Sequence, residues 1–408
     1  MAIDMKKKIG VNTKIANVFN FVMPYQWLSE ENASEVQKSF AKKKVIFFGN
    51  DMSGILDLGN VDKDLLVSKT NACLDYVRRF YGDYDLYYKP HPARDTEIAA
   101  VNLTGFKILR ENTTAELFLW KHKSEIRAVF GITSLSTFNA FNLGIDAHVF
   151  YKCFSKIYSP NWSWYFDDMY FGMPGSFFIE NFNQLAVDNT RVIEKDEALE
   201  LLFKKVLQEN KGKVWLICSF SESMILLIAL SKIIRSLSPG RKINLIINRS
   251  HRWDSIDARI FSDSFDEVIS IPRIHYSVKP SKVLQAIKIA WRIKNINVLP
   301  DDLVMSVSQP EFIENCFISY HKKNLHIGVL TSRDFNAQYN PDNISYTRNK
   351  DFRFNKATRF YNYMLEPLLG LNRTMYLTYT KWKGFYLNRY QKPINEVFNQ
   401  VWLFSHKQ

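Results

Sequence analysis

The sequence predicts an α/β protein made of two successive doubly wound units, and three observations predict it. Short apolar runs of strand length, KVIFFGND, DLYYKP and AVFGI, alternate with stretches of helical periodicity through the first 150 residues. The alternation starts afresh after Lys211-Gly212-Lys213, with KVWLICSF, KINLIINRS and DEVISIPRI as strands. Several of the runs exit into small, polar or proline-bearing loops, which is where an open parallel sheet keeps its ligands. The expectation is two Rossmann-like domains facing across a cleft, with the site in the cleft. Their boundaries are 1–210, 211–340 and a C-terminal segment, 341–408, read as helical or irregular and bracing the two domains.

Along the chain, residues 1 to 40 read as an irregular cover ending in a polar helix. KVIFFGND is a buried strand whose exit, Gly49 to Gly54, is built like a first βα loop, with Gly49 letting a ligand approach the backbone. VSKTNACLDYVRRFYG has helical spacing and leads into DLYYKP. FKILRENTTAELFLWKH is a short strand and then a helix that Thr113 or Thr114 caps, with Glu116 in its first turn. AVFGI, the hydroxyl loop and HVFYKC complete the first unit. In the second, SESMILLIALSKIIRSL and the basic KPSKVLQAIKIAWRIKN are helices, and DLVMSVS and NLHIGVLTSRD are further strands.

Composition is ordinary for a globular chain, at 46% hydrophobic and 23% charged, but 31 Phe and 20 Tyr are many. The net charge of +13 calls for an anionic partner: a phosphorylated or carboxylated substrate, a nucleic acid or a membrane surface. Cys73, Cys153, Cys218 and Cys316 are too widely spaced for a zinc ligand pattern, and with no apolar leader in MAIDMKKKIGVN the expected compartment is a reducing cytoplasm. VWLICSFSESMILLIALS is interrupted by Ser221, Glu222 and Ser223, so it reads as strand, turn and buried helix rather than a membrane span.

Two stretches carry the chemistry. In YYKPHPARD the prolines end the strand, so that Lys89, His91 and Pro92 lie at its carboxyl edge. In GITSLSTFNAFNLG a strand runs into Thr133, Ser134, Ser136 and Thr137 and then a helix that stops at Gly144. Hydroxyls and free N–H groups at a helix start suit an anion, so the pair reads as a phosphate cradle with a histidine above it. A histidine donating to a phosphate oxygen stabilises the charge that builds on a departing nucleoside monophosphate. This chemistry needs no metal and no other cofactor.

The order strand, KPHP, NTTAEL and GITSLSTFNAFNLG resembles the nucleotide-binding half of bacterial GT-B glycosyltransferases that use CMP-activated sugars, namely the sialyltransferases, the polysialyltransferases and the β-Kdo transferases of capsule and lipopolysaccharide assembly. The resemblance implies that His91 and Pro92 form the HP motif, that Ser134, Ser136 and Thr137 form the hydroxyl motif that binds CMP, and that Glu116 is the acidic residue near the nucleotide. It covers residues 45 to 150, and the second half only in outline. The nucleotide half stands first in the chain here, the order described for the retaining β-Kdo transferases and the reverse of most sialyltransferases. The acidic-acidic-glycine motif of the inverting enzymes is missing, and Asp334 in NLHIGVLTSRDF is the lone acid in its place.

That leaves Glu222, in CSFSESM, open to two readings: a first-turn residue favoured by the helix dipole, or a carboxylate nucleophile for retention through double displacement. Asp301-Asp302, after Pro300, is a third candidate carboxylate, set against its reading as a solvated turn. The loop Asn248 to Arg252 and the cluster Trp162, Trp164 and Tyr165 read as loop and core or as acceptor contacts.

The expected activity is transfer of an ulosonic acid, Kdo first, from its CMP donor to a glycan or lipid-linked glycan acceptor, with the basic tail as a contact for the inner face of the cytoplasmic membrane. An inverting sialyltransferase and a CDP-polyol phosphotransferase are the alternatives. A nucleic-acid partner is disfavoured, because no RGG tract, zinc finger or RNP run is present.

Overall fold

The structure, a computed structural model, describes residues 18–28, 43–52, 55–56, 61–91, 99–110, 113–154, 157–158, 163, 166–167, 169–170, 172–190, 196–219, 223–248, 258–272, 274, 277–307, 312–331, 357, 360–371, 373–375, 391–393 and 398–405. Two compact units divide the chain: one is Tyr25–Lys195, and in the other Met1–Pro24 joins Asp196–His406. Both are α/β with a wholly parallel main sheet. The first strand, β1 (Val18–Val22), belongs to the second of these sheets.

The Tyr25–Lys195 unit runs β2 (Lys44–Phe48), α1 (Lys63–Tyr81), β3 (Asp85–Lys89), β4 (Lys107–Ile108), α2 (Ala115–Lys121), β5 (Ile126–Gly131), α3 (Leu135–Asn142), β6 (Ala147–Val149) and α4 (Tyr151–Phe154). Its strands lie in the order β4-β3-β2-β5-β6, every neighbouring pair parallel. The chain therefore winds outward from β2 to one edge and returns to lay β5 on the other side of β2. Strand order reverses between β2 and β5, and the carboxyl ends at such a reversal are where open α/β sheets bind ligands.

The apolar run of β2 is buried from Val45 to Phe48, as expected for a strand covered on both faces. Asp62 caps α1 by accepting from the Leu65 N–H at 2.9 Å, and Leu66, Thr70, Cys73, Leu74 and Val77 form its buried stripe. The many aromatic residues fill this core: Phe47 stacks on Tyr88 at 5.8 Å between ring centres, and Tyr76 meets Phe150 edge-on at 5.3 Å.

The other unit runs α5 (Glu197–Glu209), β7 (Val214–Cys218), α6 (Met224–Leu237), β8 (Ile243–Asn248), α7 (Ala258–Ser264), β9 (Glu267–Ile271), α8 (Pro280–Lys294), β10 (Leu303–Val307), α9 (Phe312–Tyr320) and β11 (Leu325–Thr331), and later β12 (Arg373–Met375), β13 (Gln391–Pro393) and β14 (Gln400–Ser405). The main sheet has the order β1-β14-β11-β10-β7-β8-β9, and here the reversal falls between β7 and β10. VWLICSFSESMILLIALS divides into β7 and α6 as the sequence implied, and among the described residues no helix is long and apolar enough to cross a membrane.

Both chain ends differ from expectation. Residues 18–22, read as part of an irregular cover, are an edge strand, and residues 400–405, read as helical or irregular, are an interior strand between β11 and β1. Val401 to Phe404 are buried, and Trp402 packs edge-on against Phe203 of α5 at 4.6 Å. Phe21 of β1 contacts Trp402 and Phe404 in turn.

Asp302 also departs from its reading as a solvated turn. It is fully buried and accepts from the Lys213 N–H at 2.7 Å, the Trp215 indole at 2.9 Å and the Leu299 N–H at 3.0 Å. Gly212 permits this, because a Cβ there would fall 2.3 Å from the Asp302 carboxylate. The composition shift at Lys211-Gly212-Lys213 is thus a close crossing at the base of β7 and β10.

Candidate functional site

Parallel pairing in the Tyr25–Lys195 unit sets the ends of β2, β3 and β5 side by side, Phe48 opposite Lys89 on one flank and Gly131 on the other. The loops that follow these ends contain Gly49, His91 and the hydroxyl run. Gly49 is buried and donates its N–H to the Lys89 carbonyl at 2.9 Å, extending the β2-β3 ladder by one bond. Lys89, Pro90 and His91 are half-buried at the edge.

Across the reversal point, Asn50 donates its side-chain amide to the Thr133 hydroxyl at 3.2 Å, and both residues are buried. This bond joins the loop after β2 to the loop after β5. The next residue, Ser134, caps α3, its hydroxyl accepting from the Ser136 N–H at 3.2 Å. Ser136 in turn donates to Glu116 Oε1 at 3.2 Å, and Asn139 donates to the same oxygen at 3.3 Å.

Glu116 is buried in the first turn of α2, which Thr114 caps by accepting from the Leu117 N–H. Of the two threonines offered by the sequence, Thr114 is the cap. The buried Glu116 carboxylate lies close enough to Tyr25 to add to the effect of burial in pushing that phenol up. Burial likewise raises the phenol of Tyr158.

The three hydroxyls of the motif therefore differ. Ser134 and Ser136 are half-buried at the start of α3, whereas Thr137 is wholly buried and its Oγ1 has no hydrogen-bond partner among the described residues. It turns toward Gly131, where a Cβ would fall 2.5 Å from that oxygen. Glycine at the end of β5 leaves the room that this side chain occupies.

The structure thus brings together Gly49, Lys89, His91, Glu116, Ser134, Ser136 and Thr137 at one edge of one sheet. Pro92, Glu222 and Asp334 lie outside the described residues, as do Arg249 to Arg252, Trp162, Trp164 and Tyr165. Asn50 and Thr133 complete the set as its bridge. The available signal was that each is a small polar residue one or two places beyond a buried strand.

In the other unit the corresponding point carries a second polar link. Ser219, immediately after β7, donates to Glu314 Oε1 at 2.7 Å, and Glu314 stands in the first turn of α9, which follows β10. Both residues are fully buried. Burial, with Glu366 and Glu314 adding to it, pushes the neighbouring Cys316 thiol up, so it remains a protonated core group. A glutamate inside the apolar run FIENCFISY was the signal for this link.

What the first edge offers chemically is a helix start with two serine hydroxyls after β5, a lysine and a histidine at the end of β3 two strands away, and a cross-brace between the loops after β2 and β5. Helix starts at this edge of an open α/β sheet are where such folds bind anionic ligands. In comparisons with known proteins, no family model matches the chain and no curated protein matches it significantly.

Proposed function

We propose that the chain is a GT-B-type glycosyltransferase that binds a CMP-activated ulosonic acid, Kdo first among them, at the crevice between β2 and β5 and transfers it to a glycan acceptor. The observation that supports this most is the Asn50–Thr133 bridge at the point of strand reversal, because it ties the loop after β2, whose neighbour β3 ends at Lys89, to the loop that leads into the capped helix α3. In this reading Ser134 and Ser136 and the first N–H groups of α3 hold the CMP phosphate, and Lys89 offsets its charge. His91 donates to a phosphate oxygen as the glycosidic bond to CMP breaks.

Retention of configuration would follow from Glu222 as the nucleophile, with the inverting alternative resting on Asp334. The net charge of +13 suits a donor that carries both a phosphate and a sugar carboxylate. The test is ligand-dependent thermal unfolding. CMP and CMP-Kdo should raise the midpoint and UDP-sugars should not, whereas stabilisation by a CDP-polyol in preference to CMP-Kdo would favour the phosphotransferase alternative.

A further inference from the structure

A second charged concavity lies in the same unit, at the opposite edge of its sheet. Lys43 precedes β2, Lys123 and Ser124 precede β5, and Gly144 to Asp146 precede β6, so their grouping marks the amino ends of the parallel strands. With Arg127, Asp188 and Thr190 they line an open depression of about 530 Å³, within the range of small-molecule sites, with Lys43 exposed at its rim.

Its charges are not equivalent. Arg127 is held on both sides, its two terminal nitrogens 2.9 Å from Asp146 and 3.1 Å from Asp188. Asp146 is buried and also lies 2.8 Å from His148, while hydrogen bonds from Thr190, with Arg127 adding to them, hold the Asp188 carboxyl below its usual range. The two carboxylates are thus both already engaged by Arg127. Lys43 and Lys123 are different: among the described residues neither ammonium has an ion-pair or hydrogen-bond partner. Lys123 is half-buried, and desolvation pushes its amine down. An anion that entered would restore that lost solvation.

We infer that this depression is a binding site for a small phosphate-bearing molecule, held by Lys43 and Lys123 and separate from the crevice at the carboxyl ends of the strands. Phosphate is favoured over carboxylate by the kind of cation left open. A planar carboxylate is best met by the arginine fork, and Arg127 is already engaged, whereas lysine binds phosphate as a point charge from any side. The catalytic crevice of an open α/β sheet lies at the other edge, so a ligand here would act as an effector rather than a reactant.

Competitive acylation of amines on the intact chain tests this locally, with acetic anhydride as reagent, inorganic pyrophosphate as probe and peptide mass spectrometry as readout. Labelling of Lys123 and Lys43 should fall about tenfold when pyrophosphate stands at about ten times its dissociation constant, while the exposed Lys204 of α5 keeps its rate. Lys123→Gln should retain the fold, because it breaks no ion pair, and should abolish the protection at Lys43. Unchanged labelling of both lysines, equal loss at Lys204, protection by citrate but not by pyrophosphate, or protection of Lys43 that survives Lys123→Gln would each overturn the assignment.

Discussion

The side-chain amide of Asn50 donates to the hydroxyl of Thr133 at 3.2 Å, joining two loops that are 83 residues apart in sequence and adjacent at the reversal of strand order. An open sheet has a natural gap here, because successive connections leave β2 and β5 in opposite directions. The bond spans that gap and ties its two walls together. Asn50→Ala leaves the Thr133 hydroxyl without its donor in a buried site, so unfolding in urea should show a loss of about 1–2 kcal/mol. The same variant should bind CMP more weakly by calorimetric titration, and unchanged affinity would show that the bridge does not shape the site.

Thr137 gives the opposite expectation to its two neighbours. Its hydroxyl is buried against Gly131 and has no hydrogen-bond partner among the described residues, so it carries a desolvation cost and no visible return. Thr137→Val should leave CMP affinity unchanged and should stabilise the fold by about 1 kcal/mol. Ser134→Ala removes the cap of α3 and should cost about 1 kcal/mol together with part of the CMP affinity. A Thr137→Val variant that lost CMP binding would return this hydroxyl to the ligand.

What could be read from the chain, and what could not, divides on sequence separation. The strands β2, β3 and β5 are legible because each centres on a short apolar or aromatic run, VIFF, LYY and AVF, bounded by glycine, proline or a polar loop, all local signals. The cap at Thr114 and the helix α8, with Pro280 in its first turn, are local for the same reason. β1 and β14 are not legible, since β1 is a strand by virtue of β14 at the other end of the chain, and β14 by virtue of β1 and of β11, all distant in sequence. Asp302 shows the same limit at one residue. Pro300-Asp301-Asp302 has the composition of a turn, and the indole that buries the second carboxylate comes from 87 residues earlier.

Asp302 supplies a stability prediction of its own. Its carboxylate accepts three hydrogen bonds where β7 and β10 begin, and hydrogen bonds to a charged acceptor are the stronger kind. Asp302→Ala would leave the Trp215 indole unmatched in the core and two backbone N–H groups unmatched at its margin, at a cost of about 2–3 kcal/mol. Asp302→Asn keeps the shape but not the charge, and should fall between that variant and the parent. A change of less than about 0.5 kcal/mol in Asp302→Ala, the size of an ordinary surface substitution, would mean that the turn is solvated after all.

The pH dependence of stability should carry the signature of His326. This residue is buried on β11, its Nε2–H donates to the His321 carbonyl at 2.8 Å, and Nδ1 has no partner among the described residues. Burial therefore pushes the imidazole down to about 4. The unfolded chain takes up the proton first as pH falls below the ordinary value of about 6.5, so stability is full above that pH and is lost progressively toward pH 4. The difference corresponds to about 3 kcal/mol. His326→Gln, which retains a donor for the carbonyl, should flatten the urea midpoint between pH 6.5 and 4, and an unaltered slope would assign the acid sensitivity elsewhere.

The most direct measurement is product analysis after incubation of the chain with CMP-Kdo and, separately, CMP-sialic acid, each with candidate glycan acceptors. We expect CMP release with CMP-Kdo and a Kdo product of β configuration, with both lost in Glu222→Gln and strongly reduced in His91→Ala. An α-linked sialic acid product would replace the retaining reading with the inverting one, and no CMP release from either donor would contradict the assignment of the crevice to a CMP-sugar.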